Sequence, residues 1–510
     1  MAQQKFSPYP CSDNTLWSPL QSDGPEWVPV CACPADFAID VFEAAASQLV
    51  AHPEYNSTLI LRSEVIRETG TDEDASALKI DGLHFVRNIY RKLLPRRPGR
   101  DPPIHQDCTF YSNSHVVSCL VLTPRLDQDN PMPWYHPAVF HLAFRYLEGE
   151  QPTIRIEVVP RLDEQDPLDV NARLYRTCLA LLETVYRYGR GISTNYRKRV
   201  HHDCLVSREE YQDLYLVMRE RYKHLVDTWH ENTDPLKHVF EDIGIATYLI
   251  LLWQQDVYAN DENQSISKLR EESSRNNWPR PPGGFLDLGC GNGLLVHILL
   301  SEGYSGCGID LRARNSWKHY PPETQKHLHV HALDPLQSNS SPYLREGVFI
   351  IANHADELSP WTPILSTLSN ASGFLSIPCC AWSFDSRFTR PQLVTDPDGS
   401  SNSAFAFGPP EGLPFESYVE SLKLGGDNGA NSWKSSYASF RIWLASINFH
   451  VGWVTEVDTL RIPSTRNWAI IGRRRCGEPG QSTQNSMLII QQVHERGLFK
   501  TRTPEGKTHH

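Results

Sequence analysis

At 510 residues the chain exceeds what one compact core usually organises, so two folded units joined by loops are expected. Its formal net charge of −11 excludes a protein coated in basic charge, although one local basic face could still neutralise phosphates. The 12 cysteines include no C-x-x-C pair, the first residues carry no basic stretch leading into an apolar core, and no apolar run is long enough to span a bilayer. A zinc module, a secretory signal and a membrane span are therefore not expected, and a reducing, cytoplasmic setting is.

Residues 1–205 mix short apolar segments with proline-rich breaks and read as an N-terminal α+β unit. Within it "FRYLEGEQPTIRIEVVP" (144–160) alternates like a strand, and nothing carries a catalytic signature. Basic residues cluster in "RKLLPRRPGR" (91–100) and "YRKRVHH" (196–202), with a third block, "GRRRC" (472–476), far downstream. Each alone reads as a solvated loop; three in an acidic chain suggest a composite RNA-facing surface.

The pattern then changes. Helical spacing runs through 208–231 and 233–253, with Asp234 placed to cap the second helix and Pro235 at its first position. A polar linker (260–284) leads into alternating elements. Strands are expected at "GFLDLG", "GCGIDL", "LHVHAL", "GVFIIANH" and "GFLSIPCC", with helices between several of them. After an insertion (about 391–433), a helix and two closing strands complete the set. This order predicts a Rossmann-like, seven-stranded and mostly parallel α/β sheet over residues 206–476, followed by a polar, flexible tail (477–510).

The most informative stretch is "FLDLGCGNGLLVHILLSEGYSGCGIDL" (285–311). Its glycines follow D-x-G-x-G-x-G from Asp287 through Gly289, Gly291 and Gly293, rather than the G-x-G-x-x-G of a dinucleotide site. A carboxylate before the turn offers nothing to a pyrophosphate but supports the sulfonium and amino group of S-adenosylmethionine. Asp310, ending the second strand, then suits the ribose hydroxyls. Asp334 is expected near the adenine, and Asn353, ending the fourth strand, at the cofactor.

The acceptor is read from the fourth strand's end, "NHADEL" (353–358). It lacks the prolines of adenine N-methyltransferases, and "SPY" (341–343) lies before the strand. Cys379 ends the fifth strand, where a pyrimidine-methylating thiolate is not expected; it reads as an inert buried thiol beside Cys380. Transfer to oxygen, or to a nitrogen outside the adenine class, remains. His354, Asp356 and Glu357 are the candidate bases, Asp356 foremost. His327, His329 and His331 share one strand face, but methyl transfer requires no metal, and a solvated face is the reading adopted.

Together, "LDLGCGNGLLVHILLSEGYSGCGIDLRARNSW", "LLPRRPGRD", "YRKRVHHD", "HENTDPLKHVFEDIGIATYLILLW", "IANHADELSPW", "IPCC" and "LRIPSTRNWAIIGR" resemble the tRNA uridine-44 2′-O-methyltransferase family. The resemblance implies S-adenosylmethionine as donor, serine tRNA as acceptor and a cytoplasmic location, with no role for DNA or membrane. It implies cofactor contacts at Asp287, Gly289, Gly291, Gly293 and Asp310. The Lys-Asp-Lys-Glu set of some ribose methyltransferases finds acids at Asp356 and Glu456 but no matching lysines, and Arg466 is the candidate replacement cation. The residues alone leave open an enzyme of this fold acting on a protein or small molecule, a non-catalytic cofactor-binding subunit, and a helper protein.

Overall fold

A computed structural model describes residues 5–11, 18–22, 24, 26–70, 78–113, 116–126, 132–161, 166–194, 202–258, 278–384, 386–388, 417 and 435–500. The chain divides into two units, Met1–Arg197 and Lys198–His510. The division falls before the expected boundary at 205 because residues 202–205 are tied to the second unit. His202 Nδ1 lies 2.6 Å from the Thr459 carbonyl oxygen, and the Leu205 amide donates to Asp458 at 3.2 Å.

The first unit is one antiparallel sheet of eight strands against two helices. Strands β1 (Tyr9–Pro10), β2 (Val28–Pro34), β3 (Ile60–Thr69), β4 (His84–Pro95), β5 (Ile104–Asn113), β6 (Val116–Arg125), β7 (Val139–Leu147) and β8 (Thr153–Pro160) lie in the order β1-β2-β8-β7-β6-β5-β4-β3. Helices α1 (Ile39–Ala51) and α2 (Arg173–Ser193) supply Phe42, Leu49, Leu182 and Val185 to the core. The alternating stretch at 144–160 is the end of β7 and all of β8, a hairpin rather than a single strand.

Alternation in β8 does not mean that its polar face meets water. Ile154, Ile156 and Val158 enter the main core, while Arg155 and Glu157 on the opposite face are 2% and 0% exposed. Glu157 accepts from Arg155 at 2.7 Å, from Arg145 at 3.2 Å and from the Leu20 amide at 2.7 Å. A buried carboxylate is tolerated because donors surround it. Arg91, one of the residues read as RNA-facing, is likewise turned inward, 3% exposed and hydrogen-bonded to Gln106, whereas Arg96, Arg97 and Arg100 remain exposed.

The second unit begins with α3 (Arg208–Tyr222) and α4 (Pro235–Tyr258). Ser207 caps α3, accepting from the Glu210 amide while donating to its carboxylate at 2.8 Å. Asp234 caps α4 as expected, accepting from the Leu236 amide at 3.0 Å ahead of Pro235. The sheet then builds from β9 (Phe285–Leu288), β10 (Gly306–Asp310), β11 (Leu328–Val330), β12 (Phe349–Asn353), β13 (Gly373–Ile377), β14 (Glu456–Thr459) and β15 (Trp468–Gly472). Between them lie α5 (Leu294–Ser301), α6 (Pro322–Gln325), α7 (Trp361–Leu368) and α8 (Ser436–His450).

The strand order is β11-β10-β9-β12-β13-β15-β14. The sheet is mixed: β9 to β13 pair in parallel, whereas β15 runs antiparallel to both β13 and β14. After β9 the chain adds strands on one side, then returns to add β12 on the other. The carboxyl ends of β9 and β12 therefore flank a crevice, the position where open α/β sheets bind ligands.

Two further readings are corrected here. The polar tail contains α9 (Pro479–Glu495), whose Ile489 and Val493 are buried in the second unit's core. The tail's polar majority masked two apolar side chains spaced four apart on one helical face. The "GRRRC" block is largely engaged as well. Arg473 and Arg474 pair with Glu456 at 2.8 and 3.3 Å, and Arg475 stacks 3.5 Å over the Trp453 ring. The linker up to residue 277, residues 196–201 and the insertion at 391–433, apart from Ser417, lie outside the described residues. No helix among the described residues is long and apolar enough to cross a membrane.

Candidate functional site

The glycine turn is built by its backbone. Gly289, Gly291 and Gly293 have φ of +69°, +52° and +77°, a left-handed run that side chains disfavour. The amides of Gly289 and Cys290 both donate to the Ile309 carbonyl, at 2.9 and 3.0 Å, tying the turn to the end of β10. A Cβ added at Gly293 would lie 2.9 Å from the Leu328 side chain, so that glycine is also needed for close packing. At Gly289 and Gly291 an added Cβ would meet nothing nearer than 3.8 Å, because both border an open cleft of about 670 Å³.

The cleft lies at the ends of β9, β10 and β12, with the first turns of α4 as another wall. Asp310 is held in place: its Oδ2 accepts from the Gly291 amide at 2.9 Å, its Oδ1 from the Arg312 amide at 3.2 Å, and Arg314 approaches to 3.9 Å. Asp287 is 2% exposed, and its Oδ1 has no hydrogen-bond partner. Burial holds its carboxyl well above the ordinary range, and the nearby Asp242 and Asp310 carboxylates push it the same way. A buried acid facing a cleft without a donor suits a cationic ligand. The open glycine turn and the fixed Asp310 leave room and acceptors for a nucleoside. On these features S-adenosylmethionine fits the residues present.

The end of β12 is strained. His354 and Asp356 have φ of +56° and +44°, where residues other than glycine are uncommon. Asn353 lines the cleft with an enclosed Oδ1 that has no partner. His354 Nε2 lies 3.0 Å from Glu241 Oε1, while its Nδ1 is enclosed without a partner. Burial alone would raise the Glu241 carboxyl; hydrogen bonds from His354 and Ser464, and the charges of His354 and Lys237, outweigh it and hold the group below its ordinary value. Asp356 is exposed at the cleft and accepts a 3.7 Å contact from Cys379 Sγ. Arg466 lines the same cleft with its guanidinium 4.2 Å over the Tyr437 ring.

Burial, then Cys380, then Asp356 push the Cys379 thiol up to about 12, so it is no thiolate nucleophile at neutral pH. Asp356, Cys379 and Cys380 do bring three potential metal-ligand atoms within 4.8 Å of one another, which the sequence spacing did not suggest. The strand histidines are in no such group among the described residues; His329 and His331 pack against the Tyr343 ring.

Two acids lie elsewhere than expected. Asp334 does not line the cleft; its Oδ1 accepts from the Leu336 amide at 2.9 Å, capping the short 3₁₀ turn Pro335–Ser340. Glu456 is also absent from the cleft, held by Arg473 and Arg474, and cannot complete a catalytic tetrad. Sequence reasoning missed Glu241 and Asp242, which reach the cleft from α4. The available signal was two adjacent acids placed directly before the apolar run at 243–253.

Comparison with known proteins adds to this geometry. Residues 7–199 match a family described as a TRM44-like, N-terminal bet v1-like domain, and residues 205–271 and 268–335 match a predicted AdoMet-dependent methyltransferase. A tRNA (uracil-O(2)-)-methyltransferase of Schizosaccharomyces pombe is 34% identical, covering 88% of this chain and 85% of its own. One from Neurospora crassa is 33% identical over 89% and 88%, and one from Saccharomyces cerevisiae 29% over 88% and 87%. The methyltransferase match makes S-adenosylmethionine the cofactor. With a bet v1-like unit, a cofactor cleft at the switch point and relatives matched over nearly their full length, this chain belongs to the tRNA (uracil-O(2)-)-methyltransferase family.

Proposed function

We propose that the protein methylates the 2′-oxygen of a uridine in tRNA, within a Rossmann-like class I methyltransferase unit formed by residues 206–476. The observation that carries this reading is the switch-point cleft, where the donor-free Asp287 carboxyl, the fixed Asp310 and the open glycine turn converge. When bound, S-adenosylmethionine supplies an activated methyl group on a sulfonium.

The chain's own residues then have simple tasks. Asp310, already oriented by the Gly291 amide, offers its carboxylate to ribose hydroxyls, and Asn353 offers its enclosed Oδ1 to the same cleft. Asp287, Asp310 and the glycine turn would hold the cofactor, whose methyl would pass to the ribose oxygen, so the acceptor's hydroxyl proton must leave. Asp356, exposed at the cleft, accepts that proton. Arg466 stabilises the developing negative charge on the acceptor, and His354, held by Glu241, fixes the wall against which the acceptor rests.

The finer assignments follow the family resemblance: position 44 of serine tRNA as the target, a cytoplasmic location, and the N-terminal unit as the tRNA-contacting part. The exposed Arg96, Arg97 and Arg100 support the last of these. The test is transfer of labelled methyl from S-adenosylmethionine to unmodified serine tRNA, with nucleosides identified by mass spectrometry. The expected result is 2′-O-methyluridine, abolished by Asp287→Ala. Label appearing in protein or a small molecule instead would overturn the reading.

A further inference from the structure

Helix α4 is apolar from Ile243 onward, with Ile243, Ile245, Ala246 and Leu249 fully buried. Just before that run stand two buried acids, Glu241 and Asp242, only 4% and 8% exposed. Glu241 has an evident occupation, its contact with His354. Asp242 has none: it lines the cleft and makes no hydrogen bond or ion pair with any described residue. Asp287, whose Oδ1 also lacks a partner, lines the same cleft from β9, near enough for the Asp242 charge to act on it.

Two neighbouring buried carboxyls without a single donor between them are unfavourable, both through lost solvation and through mutual repulsion. Their arrangement makes sense only toward a ligand that brings positive charge and several hydrogens. A sulfonium carries charge but no N–H; an α-ammonium carries both, with three donors. A metal ion fits less well, since neither acid belongs to a three-ligand group among the described residues.

We propose that Asp242 and Asp287 together receive the α-ammonium of S-adenosylmethionine, one carboxylate from α4 and one from β9. This rests on the cofactor assignment and extends it to a residue on α4, outside the glycine motif. Asp242 thereby links the helix that precedes the sheet to recognition of the amino-acid half of the cofactor. Burial, together with the neighbouring Glu241, pushes the Asp242 carboxyl up to about 8, as expected of an acid waiting for a cation.

The test is calorimetric binding of three ligands to the full chain and to Asp242→Asn: S-adenosylmethionine, S-adenosylhomocysteine and 5′-methylthioadenosine. The first two carry the ammonium, and only the first carries the sulfonium. The third has neither, and its binding reports an intact nucleoside site. The expected result is a loss of about 10- to 100-fold for both ammonium ligands, the size of a charge-assisted hydrogen bond, with methylthioadenosine within about twofold of wild type. Three outcomes overturn the proposal: unchanged binding of the ammonium ligands, loss for S-adenosylmethionine alone, or equal loss for all three. If the wild-type chain binds none of them, the cofactor assignment itself fails, and the proposal falls with it.

Discussion

His354 Nε2 and Glu241 Oε1 stand 3.0 Å apart, joining the left-handed end of β12 to helix α4 across 113 residues of chain. The contact holds an imidazole in a backbone conformation that it would not adopt alone. Glu241 acts here as a positioning residue. Glu241→Ala should lower kcat about tenfold and leave the KM for S-adenosylmethionine within about twofold, because the contact fixes the acceptor wall. Glu241→Gln keeps a hydrogen-bonding group and should recover most of the rate. Equal losses in the two variants would show that charge, not orientation, is what Glu241 contributes.

Asp356 is assigned the proton of the acceptor hydroxyl. Replacement by Asn should lower kcat about 10²- to 10⁴-fold while leaving cofactor affinity unchanged. A variant that keeps most of the wild-type rate would move the base elsewhere in the cleft.

Cofactor binding should depend on pH. The charged and titratable groups around Asp242 are Glu241 and Lys237 on its own helix, Asp287 and Asp310 from the sheet, and Glu231, Arg314 and Tyr320 from the adjoining segments. With its carboxyl at about 8, Asp242 is largely protonated at pH 6.5 to 7.5 before the cation arrives. A cation binds the ionised form, so affinity should rise with pH up to about 8 and then level off, with release of up to one proton from Asp242. Calorimetry in buffers of different ionisation enthalpy reads the release directly. Flat affinity between pH 6 and 8 would mean that Asp242 does not meet the cation.

Glu157 holds together the polar side of the first unit's sheet, accepting from Arg155, Arg145 and the Leu20 amide. Glu157→Gln leaves Arg155 charged and 2% exposed without its carboxylate, which should destabilise that unit by about 3–5 kcal/mol. Hydrogen exchange of the β7 and β8 amides under rising urea measures this within the intact chain.

The cofactor end of the site was legible in the sequence because its geometry is local. Asp287 through Gly293 form one turn, and Asp310 follows at the next strand end, so spacing alone carries the information. The order of the strands from β9 to β13 was legible for the same reason. What spacing cannot show is which distant side chains meet. Glu241 and Asp242 reach the cleft only because α4 packs along it, and Arg91 looks like a surface cation until its strand faces inward. Glu456 was a plausible catalytic acid by sequence, but two arginines directly after the neighbouring strand had claimed it. The eight-stranded sheet of the first unit was hardest to see, since strands such as β5 are buried at nearly every position yet mix polar and apolar residues without a clear period.

Helix α9 has a consequence for how the gene tolerates damage. Past it, Phe499 lines the cofactor cleft and sets its ring edge-on to Trp361 at 5.5 Å. A stop codon after residue 478 would spare every glycine, acid and strand of the methyltransferase unit. It would nonetheless remove Ile489 and Val493 from the core and Phe499 from the cleft wall, so a late nonsense mutation here behaves as a loss of the site rather than the trimming of an end.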